Sequence, residues 1–249
     1  MRRFKLVSCE VIFREMSAVV ARSPHQIDVE FCTMGLHDLG GRAMRTQLQE
    51  VIDGVDSARY EAVLMGYALC GNGLLGLEAR NLPLVVPRAH DCITLLMGSR
   101  ERYQEYFEKH PGVYFRSTGW IERGGSILQL SNPALSKKIG AHLNLQDLID
   151  QYGEDNGRYL FEQFSQYKQN YHQLTFIETG LEPDNHFETL ARDEAGRNGW
   201  NFEKLQGELG LFEKLVSGEW PEKDFLFVPK GYHVKATYDE NVIDAEKSP

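Results

Sequence analysis

The chain has 249 residues, a formal net charge of −9 and only four cysteines. That acidity excludes a protein working through a basic nucleic-acid face. So few thiols cannot staple a chain of this length, so reduced cysteines in a cytoplasmic setting are expected. No run of roughly 18 apolar residues is present, so no membrane span is expected.

The N-terminus, Met1-Arg2-Arg3, is followed by a strand pattern and not by the apolar core of a signal peptide. Strand one is expected over residues 4–12, a helix over 13–22 and strand two over 27–33. A helix then opens at Gly40-Gly41 and runs to about Val55, with Met44, Leu48, Val51 and Ile52 on one face. Residues 62–69 are almost continuously apolar, as a strand buried on both faces requires. A short helix over 74–80, strand four over 84–87, a long helix over 92–109 and strand five over 113–116 follow. Residues 121–155 are polar and less regular.

Further on, helices are predicted over 158–171, 186–197 and 202–215, with strands over 174–178 and 225–228. The βαβα rhythm predicts an α/β protein. It should have a Rossmann-like, mostly parallel sheet, helices on both faces and a more helical elaboration over 121–220. One domain over 1–237 and a flexible tail over 238–249 complete the expected organisation.

Right-handed crossovers carry the C-terminal ends of parallel strands to one edge, where ligand sites of open α/β sheets lie. Four cysteines and histidines fall there. Cys9 ends strand one, Cys70 ends strand three, and His90 and Cys92 end strand four, with His37 just after strand two. Residues two apart in extended backbone point the same way, so His90 and Cys92 read as a ligand pair. Cys70 adds a second thiolate and Cys9 a further candidate. Two sulfurs and one nitrogen suit zinc and leave a fourth position open for chemistry. Glu10 and His37 are the candidate proton acceptors. The amides of Gly71, Asn72 and Gly73, with Arg100, could hold an anionic substrate group, and Trp120 could wall the pocket. Cys32, inside a strand, reads as an ordinary packed thiol.

The same stretch admits another reading. Gly71, Gly73 and Gly76 match G-x-G-x-x-G after a strand, with Asp91 twenty residues on, which would bind a dinucleotide or S-adenosylmethionine at a helix N-terminus.

Four ordered motifs resemble one family. Gly66-Tyr67-Ala68-Leu69-Cys70-Gly71-Asn72-Gly73, Pro87-Arg88-Ala89-His90-Asp91-Cys92, Gly98-Ser99-Arg100-Glu101-Arg102-Tyr103 and Thr118-Gly119-Trp120 are similar to DUF1638 proteins over roughly residues 4–234. That resemblance implies a setting beside corrinoid-dependent methyl transfer, with a corrinoid protein or methyltransferase as partner. His90 and Cys92 also resemble the H-x-C pair of zinc methyltransferases acting on thiols, although there the distant cysteine lies downstream and the fold is a barrel. The expected function is therefore a zinc-thiolate enzyme of one-carbon metabolism acting on a small molecule. The alternative is an accessory protein carrying a metal or corrinoid.

Overall fold

The computed structural model describes residues 1–129, 149, 153, 154, 158, 171–237 and 239–248. The chain is α/β, with a mainly parallel central sheet. Strands β1 (Arg3–Cys9), β2 (Gln26–Cys32), β3 (Ala62–Gly66) and β4 (Leu84–Pro87) run parallel in the order β2-β1-β3-β4, and β8 (Phe225–Val228) closes the sheet antiparallel to β4. Every residue of β3 is buried, so both faces of the sheet are covered. Helices α1 (Phe13–Val20) and α7 (Gly210–Ser217) pack together, and α7 lies over β3 and β4. Helix α2 (Gly41–Asp53) buries Met44, Leu48 and Ile52, the face its 3.6-residue period predicts.

The strands do not all join this sheet. Strands β5 (Val113–Ser117), β6 (Gln173–Glu178) and β7 (Asn201–Gln206) form a separate three-stranded parallel sheet. Alternate residues of β6 serve its two faces. Leu174 and Phe176 pack with Ala191 and Ala195 of α6 (His186–Asn198), whereas Thr175 meets Tyr106 of α4 (Arg100–Lys109) at 2.7 Å.

Three expectations are corrected. The helix predicted over 92–109 is two helices, α3 (Cys92–Met97) and α4. Gly98 ends the first at φ 80°, and the Ser99 side chain accepts from Arg102 N to cap the second. Residues 202–206 are the edge strand β7, half exposed and polar, which concealed it. The segment placed in a loose tail contains β10 (Ile243–Lys247), paired with β9 (Tyr232–Ala236), and Ile243 is fully buried. Most of the helix predicted over 158–171 lies outside the described residues.

The C-terminal edges of the two sheets meet along a seam. Helix α5 (Thr118–Gln129) follows β5, and its Gly119 sits against the Val11 carbonyl so closely that a Cβ would lie 1.6 Å from that oxygen. Arg14 holds Glu122 through two bonds of 3.0 and 3.1 Å. Past β7, Glu208 N donates to Leu96 O at 2.9 Å.

Glu15 of α1 is 2% exposed and accepts from Thr179 Oγ1 at 2.9 Å, while its Oε2 has no partner among the described residues. Burial pushes its carboxyl above the ordinary 4.5. A raised folded-state pKa favours the fold while the group is protonated. That stabilisation is complete below about pH 4.5 and is lost as pH rises through the folded value. The Glu15→Gln chain should therefore melt above the wild type, with a gap that widens between pH 5 and 9. Parallel melting curves across that range would show that Glu15 ionises freely.

Candidate functional site

Cys9 closes β1 and stands in register opposite Cys32, the last residue of β2. Pairing of β3 and β4 continues beyond the strands, with Leu69 N on Ala89 O and Cys70 N on His90 O, both at 2.9 Å. This extension delivers Tyr67 and Cys70 to the same edge. The chain then turns through Cys70, Gly71 and Asn72 at φ 47°, 62° and 70°. Glycine occupies this region freely and asparagine tolerates it, so the strain falls on Cys70, at about 1 kcal/mol or more. The turn is closed by Gly73 N on Leu69 O at 2.9 Å.

Asp91 accepts from Thr94 N and caps α3, which makes Cys92 the first residue of that helix. The Asp91 carboxylate is also held by Tyr103 Oη at 3.1 Å. Cys92 is buried, and its sulfur accepts from the indole of Trp120 at 3.3 Å. Trp120 comes from α5, across the seam. The residues after strand five thus reach the rim from a second sheet and not from the same one.

His37 lies in the 3-10 turn Met34–Leu39, with Nε2 3.6 Å from Cys9 Sγ. Glu10 secures that turn: its Oε1 accepts from Thr33 Oγ1 at 3.0 Å and from Met34 N at 2.7 Å. That oxygen thereby holds the turn that carries His37 in place. All four cysteines carry free thiols, and all four gather at this one edge.

The structure brings Cys9, Cys70, Cys92, His37 and Trp120 together, but not His90 or Arg100. His90 is exposed and lines a separate cleft of about 480 Å³ with Arg100 and Tyr103. The same-side rule for residues two apart needs extended backbone, and the chain turns into α3 between His90 and Cys92. Arg100 donates to the carbonyls of Glu240 and Lys223, tying together the segments that precede β10 and β8.

The glycine-rich stretch is not a dinucleotide loop. No helix follows it: residues 71–76 are turns, and Gly76 N and Ala79 N donate to Val234 O and Tyr232 O of β9. The amides of Gly71 and Asn72 remain exposed on the turn beside Cys70, and Gly73 packs against Met44.

Residues 31–216 match the family described as "Protein of unknown function (DUF1638)". The chain belongs to the DUF1638 family. The matched span is shorter than the motifs suggested and leaves Cys9 outside it. No curated protein and no solved structure matches the chain.

Burial dominates the electrostatics of this DUF1638 rim. It pushes the Cys9 and Cys70 thiols up to about 12 and raises those of Cys92 and Cys32 as well. The mutual influence of Cys9, Cys70 and Cys92 adds to the rise. The N-terminus of α3 and the indole N–H favour a Cys92 thiolate, but a helix terminus is worth only about 0.3–1 kcal/mol and desolvation outweighs it. Burial lowers His37. Near neutral pH the Cys9–His37 pair is thus a thiol beside a neutral imidazole, not a thiolate–imidazolium pair.

These donors suit a soft metal chemically: neutral imidazole is the ligating form, and a cation would offset the desolvation of the thiolates. Among the described residues, however, no group of three His, Cys, Asp or Glu side chains stands at metal-binding spacing. No helix among them is long and apolar enough to cross a membrane.

Two rim residues escaped the sequence reading. Cys32 occupies in β2 the place Cys9 occupies in β1, which only the register of the pairing reveals. Tyr67 reads as one more apolar residue of a buried run, yet its hydroxyl comes to lie beside the thiols.

Proposed function

We propose that the rim is a soft-metal centre, zinc in the first instance, of an enzyme acting on a small-molecule thiol in one-carbon transfer. Cys9, Cys70 and Cys92 supply sulfur, and His37, not His90, supplies nitrogen. The observation that carries this reading is the gathering of three desolvated thiols at the ends of three adjacent strands, with the His37 imidazole 3.6 Å from the first of them, Cys9. A bound zinc would lower the pKa of a substrate thiol and so furnish a nucleophile at neutral pH.

The protein's own groups do the rest. Glu10 fixes the turn that carries His37, and the Trp120 indole orients the Cys92 sulfur. The buried walls around Cys9 and Cys92 keep bulk water from the sulfurs. Because the side chains are not at coordination spacing, uptake must draw the thiols together, and the strained turn at Cys70 is the segment best placed to move. In this reading a corrinoid protein is the methyl donor, and the free thiols support a reducing, cytoplasmic setting. An accessory role would use the same centre without turnover.

The test is the metal content of protein purified without oxygen or chelators. About one equivalent of zinc or another soft metal per chain is expected. Metal-free protein that takes up none on incubation with excess Zn²⁺ would overturn the proposal.

A further inference from the structure

We infer that Tyr67 is a hydrogen-bond donor to a ligand at the thiol rim, and that this ligand presents an anionic sulfur or oxygen there. The Tyr67 side chain is 1% exposed, and its hydroxyl is buried without a well-formed hydrogen bond to any described residue. The hydroxyl stands in the field of the Cys9, Cys32 and Cys70 thiols, with the weakly accepting Cys32 sulfur as its side-chain partner, while the ring lies against His37 with centroids 6.2 Å apart.

Thiol sulfur is a weak acceptor, and a buried hydroxyl left unsatisfied is costly. Phenylalanine would fill the same space without that penalty. The hydroxyl thus lies among the rim thiols with no better acceptor in the described residues than the Cys32 sulfur, and a stronger acceptor brought by a ligand would complete it. A phenol is protonated at neutral pH, so the group donates. A thiolate or carboxylate is the class of atom that completes it, since charge-assisted bonds of this kind are the strong ones.

This inference rests on the rim being the ligand-binding centre, and the experiment separates the two claims. Wild-type and Tyr67→Phe chains are loaded with Co²⁺ and titrated with 2-mercaptoethanol, read by the visible absorption of the metal. Tyr67→Phe should bind Co²⁺ as the wild type does and the thiol about tenfold more weakly, and the metal-free variant should melt higher than the metal-free wild type. Equal thiol affinity in the two chains would overturn the inference. So would a weaker Co²⁺ complex in Tyr67→Phe, which would mean that the hydroxyl serves a cysteine sulfur. A wild-type chain that takes up no Co²⁺ refutes the metal centre instead. The metal-free melting curves then decide for Tyr67: a variant no more stable than the wild type means that the hydroxyl is satisfied within the protein, and overturns the inference.

Discussion

Gly119→Ala should be among the most destabilising single substitutions in the chain. The added Cβ would lie 1.6 Å from Val11 O and 2.6 Å from Val11 C, both backbone atoms that cannot swing aside. Helix α5 must move off the first sheet. The move breaks the paired bonds between Arg14 and Glu122 and withdraws the Trp120 indole from Cys92. A loss of about 4 kcal/mol or more is expected, at the severe end for a point substitution. In a chain of this size that is a fall in melting temperature of roughly 8–16 °C. Gly196→Ala is the control: it lies within α6 with nothing within 4 Å of the added methyl, and should be neutral or stabilising by about 0.5–1 kcal/mol. A Gly119→Ala chain as stable as the Gly196→Ala chain would mean that the two sheets do not meet as described.

The second large effect is on metal affinity. Structural zinc sites bind with about 10–16 kcal/mol, so each of four ligands carries about 3 kcal/mol, or roughly a hundredfold in affinity. Cys9→Ser, Cys70→Ser and Cys92→Ser should each weaken Zn²⁺ by about that factor or more, measured by competition with a chelating dye. His37→Ala should do likewise. His90→Ala should leave the affinity unchanged, because His90 faces a different cleft. The sign of the His90 result separates the rim described here from the H-x-C pair the sequence suggests. A loss in His90→Ala with none in His37→Ala would restore the sequence-based assignment. Each serine variant should still fold, since a buried hydroxyl in place of a thiol costs only about 1–3 kcal/mol.

Much of the first sheet was legible. Residues 62–66 and 84–87 are apolar without alternation, and only a strand covered on both faces demands that. Cys70 and Cys92 were legible as rim residues for the same reason, since strand ends in a parallel sheet share an edge. The second sheet was not, because nothing local distinguishes a strand that joins one sheet from a strand that starts another. Strand β7 was hidden by its edge position, where half-exposed polar residues give no alternation. Cys32 and Tyr67 became site residues only through register and burial, which are properties of strand pairs. His90 and Cys92 diverge because residues two apart share a side only in extended backbone, and Cys92 begins a helix.

The most direct test of the thiol rim as a metal centre is X-ray absorption at the zinc edge of the loaded full-length chain. A shell dominated by sulfur at about 2.3 Å is expected, fitted by three thiolates with one imidazole nitrogen at about 2.0 Å, and one sulfur fewer in Cys70→Ser. A shell of nitrogen and oxygen alone, unchanged in Cys70→Ser, would contradict that centre.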